Sequence, residues 1–324
     1  MMFDTRIAEL FGIRYPLIQG GMRYLARAEL VAAVGNAGGI GFLSAHSMPS
    51  AAALQEEIAR TRSLTDKPFG VNLTILPNLD VRPDDYAAAI IASGVRFVET
   101  AGGNPARFIK AFKDAGITVL HKCTAVKFAQ KAEQLGADAV SITGFEAAGH
   151  PGEDYVPSMV LIPAAVDKLR IPVVASGGIA DGRGFVAALA LGAEGVSLGT
   201  RFLLTRESPM PETIKQRYLE ASERDTALVC KSLGDSTRVL RNALTDRILA
   251  HEASGDISHD ALLDLAGSRR WVEAAQAADP DGGAFAAGMA VGLIHDVPSC
   301  AEAIERIVAQ ARAIVVQRLA GIVD

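Results

Sequence analysis

The sequence predicts an α/β protein: a closed (β/α)8 TIM barrel carrying a second, smaller α-helical domain. Three observations carry that reading. Eight short apolar or β-branched runs alternate strictly with segments of helical period over roughly the first two hundred residues. Several helical segments stop at a glycine that leads directly into the next run. After Arg201 the strand-like runs cease and helical patterns joined by polar turns take over.

The expected strands are residues 16–19, 40–44, 70–75, 97–100, 118–122, 139–142, 172–175 and 195–198. Between them, apolar residues recur at i, i+3, i+4 over 28–34, 51–60, 86–92, 108–115, 126–135, 159–169 and 184–191. Gly94, Gly116, Gly136 and Gly192 fit the left-handed position that ends a helix. Strands apolar on both faces imply a parallel sheet covered by helices. Eight such units close a barrel better than they fill an open sheet, and no G-x-G-x-x-G follows the first strand to argue for a doubly wound fold.

Beyond the barrel, residues 211–221, 225–232, 238–252, 260–266 and 271–278 read as helices, with no convincing strand. Residues 301–319 form an amphipathic stripe of Ile304, Ile307, Val308, Ala311, Ile314, Val315 and Leu319, long enough to be the eighth barrel helix. The expected division is therefore a barrel over 1–210, a helical domain over 211–299, and a C-terminal helix over 300–324 that returns to the barrel. The helical domain is an insertion between strand eight and its helix.

Composition narrows the function. With 32 Lys plus Arg against 37 Asp plus Glu the net charge is −5, which lacks the basic footprint of nucleic-acid binding. Cys123, Cys230 and Cys300 are isolated, which argues against disulfides or structural zinc and suits a reducing cytoplasm. The first dozen residues carry Asp4, Arg6 and Glu9 rather than an apolar run, and residues 30–45 are too short and too glycine-rich to span a bilayer, so a cytoplasmic location without a membrane span is expected. Scattered histidines offer no metal set, and a serine hydrolase would lack its G-x-S-x-G elbow.

Chemistry in such a barrel sits at the carboxyl ends of the strands. Strand one ends in Gln19-Gly20-Gly21-Met22. Strand three holds Asn72 and Thr74 and ends at Pro77, and strand five ends in His121-Lys122-Cys123. Strand six leads into a loop containing Gly149 and His150, while strands seven and eight end in Ser176-Gly177-Gly178 and Gly199-Thr200. The last two suit a phosphate, because glycines let N–H groups approach an anion after exactly those strands where barrels hold one; tight βα turns would need the same glycines. Lys122 brings a positive charge to a phosphate or to a ring that gains electrons, or it is an ordinary strand-end lysine. His150 reaches the mouth as an acid or base, or it is a surface histidine. Glu153 and Asp154 read as charges at the start of the Ser158 helix and Asp181 as the cap of helix seven. Cys123 reads as a buried small residue before a nucleophile.

The runs Tyr15-Pro-Leu-Ile-Gln-Gly-Gly-Met22, Phe69-Gly-Val-Asn-Leu-Thr74, His121-Lys122, Ala148-Gly-His-Pro-Gly152, Ala175-Ser-Gly-Gly-Ile-Ala-Asp-Gly182 and Gly199-Thr-Arg-Phe202 resemble the nitronate monooxygenase family, formerly the 2-nitropropane dioxygenases, over essentially the whole chain. The resemblance implies an FMN-dependent barrel with a smaller domain closing over the flavin. It implies that Gly21, Met22, Asn72 and Thr74 contact the ring, that Lys122 and Gly149 lie near it, and that Ser176, Gly177, Gly178, Gly199 and Thr200 cradle the phosphate. His150 matches the active-site histidine.

The family it resembles is divided among nitronate monooxygenases using O2, enoyl-acyl-carrier-protein reductases and NAD(P)H:quinone reductases. The string Gly149-His-Pro-Gly-Glu-Asp154 together with Asn72-Leu-Thr-Ile-Leu-Pro77 favours the quinone-reductase branch. So does Ala287-Gly288-Met289-Ala290-Val291-Gly292, where monooxygenases carry Gln after a Gly. The expected reaction is hydride transfer from NADH or NADPH through FMN to a quinone, with nitronate oxidation as the alternative and FMN-dependent enoyl-acyl-carrier-protein reduction as a further one. A cofactor-free barrel aldolase or isomerase using Lys122, and a passive flavin carrier, stay open as other classes. A small-molecule substrate is expected, and a homo-oligomer is left open.

Overall fold

A computed structural model describes residues 3–75, 82–254 and 259–322. Eight parallel strands close into a barrel in sequence order: β1 (Leu17–Gln19), β2 (Ile40–Ser44), β3 (Gly70–Ile75), β4 (Phe97–Gly102), β5 (Thr118–Cys123), β6 (Ala139–Thr143), β7 (Val173–Ser176) and β8 (Gly195–Leu198). A helix follows each strand, and Gly94, Gly116, Gly136 and Gly192 sit at positive φ as expected. The expected end of strand three at Pro77 lies outside the described residues.

Strand register sorts the barrel interior into two layers. Toward the amino ends, Ile18, Ile40, Phe42, Phe97, Leu120, Ala139 and Val174 form a buried apolar plug. It is closed from below by Ile7, Phe11 and Ile13, carried by the helix Arg6–Phe11 and the turn after it. Thr5 caps that helix through Ala8 N–H, and Gly12 at φ +66° ends it. Phe11 is almost wholly buried against Phe42 and Phe97, so truncating it to alanine would cost about 3–5 kcal/mol. One pleat further up, the inward positions become polar: Ser44 pairs in register with Asn72, Asn72 with Glu99, Lys122 with Ser141, and Ser176 with Ser197. The plug supplies stability, and the polar layer makes the floor of the mouth.

The helix Cys300–Ala313 packs between Gly182–Ala190 and Ala28–Asn36, as the eighth barrel helix should. Gly182 leaves no room for a Cβ, which would sit 2.6 Å from Ile307 O and Ala311 N. Ser299 and Glu302 form a capping box at its start. Ile304, Ile307, Val308 and Ala311 are buried, but Val315 and Leu319 are exposed. The apolar stripe stops at Ile314 because residues Ile314–Leu319 widen into a π-helix, which rotates later side chains off the barrel.

The insertion departs from the purely helical expectation. Residues 225–232 are not a helix: strand β9 (Thr226–Val229) runs there and pairs antiparallel with β10 (Thr237–Leu240), so the segment from 238 turns helical only at Ala243–Ala253. Apolar runs of four residues are too short for periodicity to separate strand from helix. The turn between them uses left-handed Cys230 and Gly234, at φ +59° and +65°. One apolar core of the insertion, around Ile214, Tyr218 and Phe285, also takes in Leu25 and Ala180 from barrel loops, so the two parts share packing. Among the described residues no helix is long and apolar enough to cross a membrane.

Candidate active site

The polar layer is organised around Glu99, a residue the sequence reading did not single out. It is fully buried on β4, and its Oε2 accepts from Asn72 Nδ2 at 2.6 Å and from Gly21 N–H at 3.0 Å. Its Oε1 faces Lys122 Nζ at 3.4 Å. Thr74 Oγ1 in turn donates to Asn72 Oδ1 at 3.1 Å, and His46 Nε2 lies 2.7 Å from Thr74 O. Burial holds the His46 imidazole below its ordinary pKa. A Cβ at Gly21 would overlap Asn72, so only glycine allows this turn to settle on the layer. Gly21, Asn72, Thr74 and Lys122 are thus brought together by one carboxylate. Met22 lies above, its Sδ 3.9 Å from the place a Cβ would take on Gly199.

Across the mouth, Ser176 ends β7 and is followed by Gly177 and Gly178 at φ +95° and +73°. Gly199 precedes the short helical turn Thr200–Leu203, which no side chain among the described residues caps, and the N–H groups at a helix start are the ones that suit an anion. Thr200 Oγ1 accepts from Gly288 N–H of the insertion at 3.1 Å. Glu146 takes the capping role expected of Glu153 and Asp154: its two carboxylate oxygens accept from Ser158 N–H at 3.1 and 3.0 Å. Asp181 caps the helix Gly182–Ala190 as expected.

Glu153 does something else. It accepts from Ser236 N–H and Oγ, both at 2.8 Å, and so fastens the loop after β6 to the β9–β10 hairpin. Gly149, at φ +69°, pairs with the backbone of Arg238. The Arg238 guanidinium lies 4.4 Å from the Phe145 ring centre and donates to Phe145 O. His150 is more than half exposed at the rim, where its Nε2 lies 3.4 Å from Asp235 Oδ1. Its partner thus comes from the insertion, not from the polar layer. That contact holds the Asp235 carboxyl below the usual carboxylate range. Burial pushes the Cys123 thiol up to about 12, which removes it as a nucleophile near neutrality.

The residues fit a ring cofactor that carries a phosphate. Ser141 Oγ and Thr143 Oγ1 are buried at inward register positions without a hydrogen-bond partner among the described residues, as polar atoms awaiting a ligand would be. Lys122 offers a cation, the left-handed glycines offer close backbone approach, and the start of Thr200–Leu203 offers N–H groups without a side-chain cap among the described residues. Glu99, Glu146, Asp235 and Arg238 escaped the sequence reading. For Glu99 a signal existed, since a lone carboxylate inside the run Phe97-Val-Glu-Thr100 occupies a position that faces the barrel interior.

Comparison with known proteins agrees with this geometry. A family model described as nitronate monooxygenase matches residues 4–310. A Rhodococcus jostii (strain RHA1) protein, (3aS,4S,5R,7aS)-5-hydroxy-7a-methyl-1-oxo-octahydro-1H-indene-4-carboxyl-CoA dehydrogenase, is 35% identical over 95% of this chain and 95% of its own length. The structure of FabK from Thermotoga maritima superposes with a TM-score of 0.91 at 34% identity, covering 99% of both chains. The nitroalkane oxidase of Streptomyces ansochromogenes gives 0.81 at 28% identity, covering 95% of this chain and 99% of that one. A closed barrel with a polar, glycine-lined mouth and these relatives defines an oxidoreductase. The chain belongs to the nitronate monooxygenase family.

Proposed function

We propose that the protein is an FMN-dependent oxidoreductase that takes hydride from NAD(P)H and passes it to an organic substrate whose reacting carbon is conjugated with a carbonyl group. The observation that carries this reading is the turn Met289–Leu293: Met289 N–H donates to Glu146 O at 2.9 Å, which seats an apolar turn beside the glycine cradle. Ala290 and Val291 are buried in the insertion core around Ile214 and Phe285 and so fix the turn, which leaves the half-buried Met289 to face the mouth, an apolar side chain that suits a hydrocarbon or planar substrate better than a small anionic nitronate.

When bound, FMN supplies the hydride acceptor and donor. Gly21, Met22, Asn72, Thr74 and Lys122 would hold the ring. Ser176, Gly177, Gly178, Gly199 and Thr200 would hold the phosphate through backbone N–H groups and hydroxyls. The β9–β10 hairpin and the turn at Gly288 and Met289 meet the loops after β6 and β8 and would keep water from the mouth. His150, oriented by Asp235, gives a proton to the substrate as hydride arrives.

Two acceptors fit that chemistry. A CoA thioester is favoured by the near-full-length likeness to a dehydrogenase of a carboxyl-CoA compound. A quinone is the second reading, supported by the string Gly149-His-Pro-Gly-Glu-Asp154 and by the apolar residues 289–291 in place of Gln. Anaerobic rapid mixing separates them. NADH or NADPH should bleach the yellow protein, and crotonyl-CoA or benzoquinone should restore the colour, the faster of the two naming the acceptor class. Bleaching by propyl-2-nitronate with no response to either nicotinamide would instead establish nitronate oxidation.

A further inference from the structure

We propose that Glu99 is a positioning residue that fixes the Lys122 ammonium beneath the cofactor and, through it, sets the cofactor's redox potential. The inference rests on the FMN reading above. Its basis is an asymmetry within one ion pair. Glu99 is completely sealed, while a quarter of the Lys122 side chain is exposed at the mouth. The anion is hidden and the cation is offered to whatever binds above it.

Glu99 Oε2 accepts hydrogen bonds from Asn72 Nδ2 at 2.6 Å and Gly21 N–H at 3.0 Å, while Oε1 takes no hydrogen bond among the described residues and meets Lys122 Nζ as an ion pair at 3.4 Å. The turn above leaves the ammonium little freedom, since a Cβ on Gly20 would lie 3.0 Å from Lys122 Nζ and 2.8 Å from Ser197 Oγ. A buried ion pair is a weak source of stability, because desolvation offsets most of its Coulomb attraction. A barrel layer built only for stability would place apolar side chains here, as the layer below does. The carboxylate instead offsets part of the charge that Lys122 turns toward the ring. A positive charge near the ring favours the reduced, electron-rich form, so removing its counter-charge raises the potential.

The test measures midpoint potentials at pH 7 for the FMN-loaded wild type, Glu99→Gln, Lys122→Met and the double variant. Glu99→Gln should raise the preference for reduced over oxidised FMN by about tenfold, about 30 mV for a two-electron couple, and Lys122→Met should lower it. In the Lys122→Met background no ammonium is left to position, so Glu99→Gln should then change the preference less than about twofold. An equal shift in both backgrounds, or none in either, overturns the proposal. A second measurement needs no variant and no flavin: NMR of lysine side-chain nitrogens in the cofactor-free protein. Slowed ammonium exchange at Lys122 supports the pair, and exchange as fast as at surface lysines such as Lys110 overturns it. Failure of the wild type to bind FMN would refute the functional reading while leaving this second measurement decisive for the pair.

Discussion

Arg238 and Gly149 pair backbone to backbone: Arg238 N–H donates to Gly149 O at 2.6 Å, and Gly149 N–H donates back to Arg238 O at 3.1 Å. The loop that carries His150 is thereby an extra rung of the β9–β10 hairpin. Barrel and insertion meet at the candidate catalytic residue, and a displacement of the hairpin displaces His150. Arg238→Ala keeps the backbone rung but removes the guanidinium from Phe145 and its carbonyl. The hairpin should lose about 2–4 kcal/mol of docking. Hydrogen exchange should quicken over residues 145–152 and 226–240 and stay unchanged in β3 to β5; uniform quickening would show that Arg238 supports the whole fold instead.

The His150–Asp235 pair is exposed on both sides, so its role is orientation. Asp235 sits below the usual carboxylate range because of His150, which makes its contribution to stability present above about pH 4 and lost as the pH falls through the folded value. Exposure keeps that contribution under about 1 kcal/mol. Asp235→Asn should therefore leave the melting temperature at pH 7 nearly unchanged. It should slow reoxidation of the reduced enzyme by its acceptor about three- to tenfold, and His150→Ala about tenfold, or about 1.4 kcal/mol of barrier. Combining the two should slow it no further than His150→Ala alone; additive losses would separate the residues.

His121 makes the acid limb of stability. It is buried on β5, its Nδ1 lies 2.9 Å from Thr100 Oγ1, and burial pushes its pKa down to about 4. The unfolded chain, with an ordinary value near 6.5, binds the proton first. Stability is thus full above about pH 6.5 and falls by on the order of 3 kcal/mol as the pH drops toward 4. Urea midpoints at pH 4, 5, 6 and 7 should show this slope in the wild type and a flatter one in His121→Gln; equal slopes would place the acid sensitivity elsewhere.

How far the sequence revealed this molecule depends on how local each signal is. Barrel units were legible because each repeats a strand, a helix and a left-handed glycine such as Gly94 or Gly136 within a short span. The hairpin was not, because Thr226–Val229 and Thr237–Leu240 are four residues each and acquire their meaning only by pairing. Gly21, Asn72, Thr74 and Lys122 were legible as strand-end residues, yet the carboxylate that gathers them, Glu99, reads along the chain as one polar residue in a strand. Asp235 and Ser236 lie far from His150 and Glu153 in sequence, and the insertion's return path alone brings them together.

The glycine cradle yields a sharp loss of binding. Gly178 is left-handed, and a Cβ there would lie 3.5 Å from Glu146 Cβ. Gly178→Asp adds backbone strain and a second carboxylate at the place assigned to the phosphate. Each lost contact to a charged group is worth about 1.5–3 kcal/mol, so FMN affinity should fall at least about a hundredfold. The variant should purify colourless with an unchanged circular dichroism spectrum. Full flavin content would move the phosphate away from Gly178.

The central claim, a noncovalently held FMN at the barrel mouth, is tested most directly by acid precipitation of the purified protein followed by mass analysis of the supernatant. The expected result is a yellow supernatant containing FMN at about one per chain, above a colourless pellet. Recovery of FAD, colour retained on the precipitated chain, or a protein that stays colourless and takes up no added FMN would contradict it.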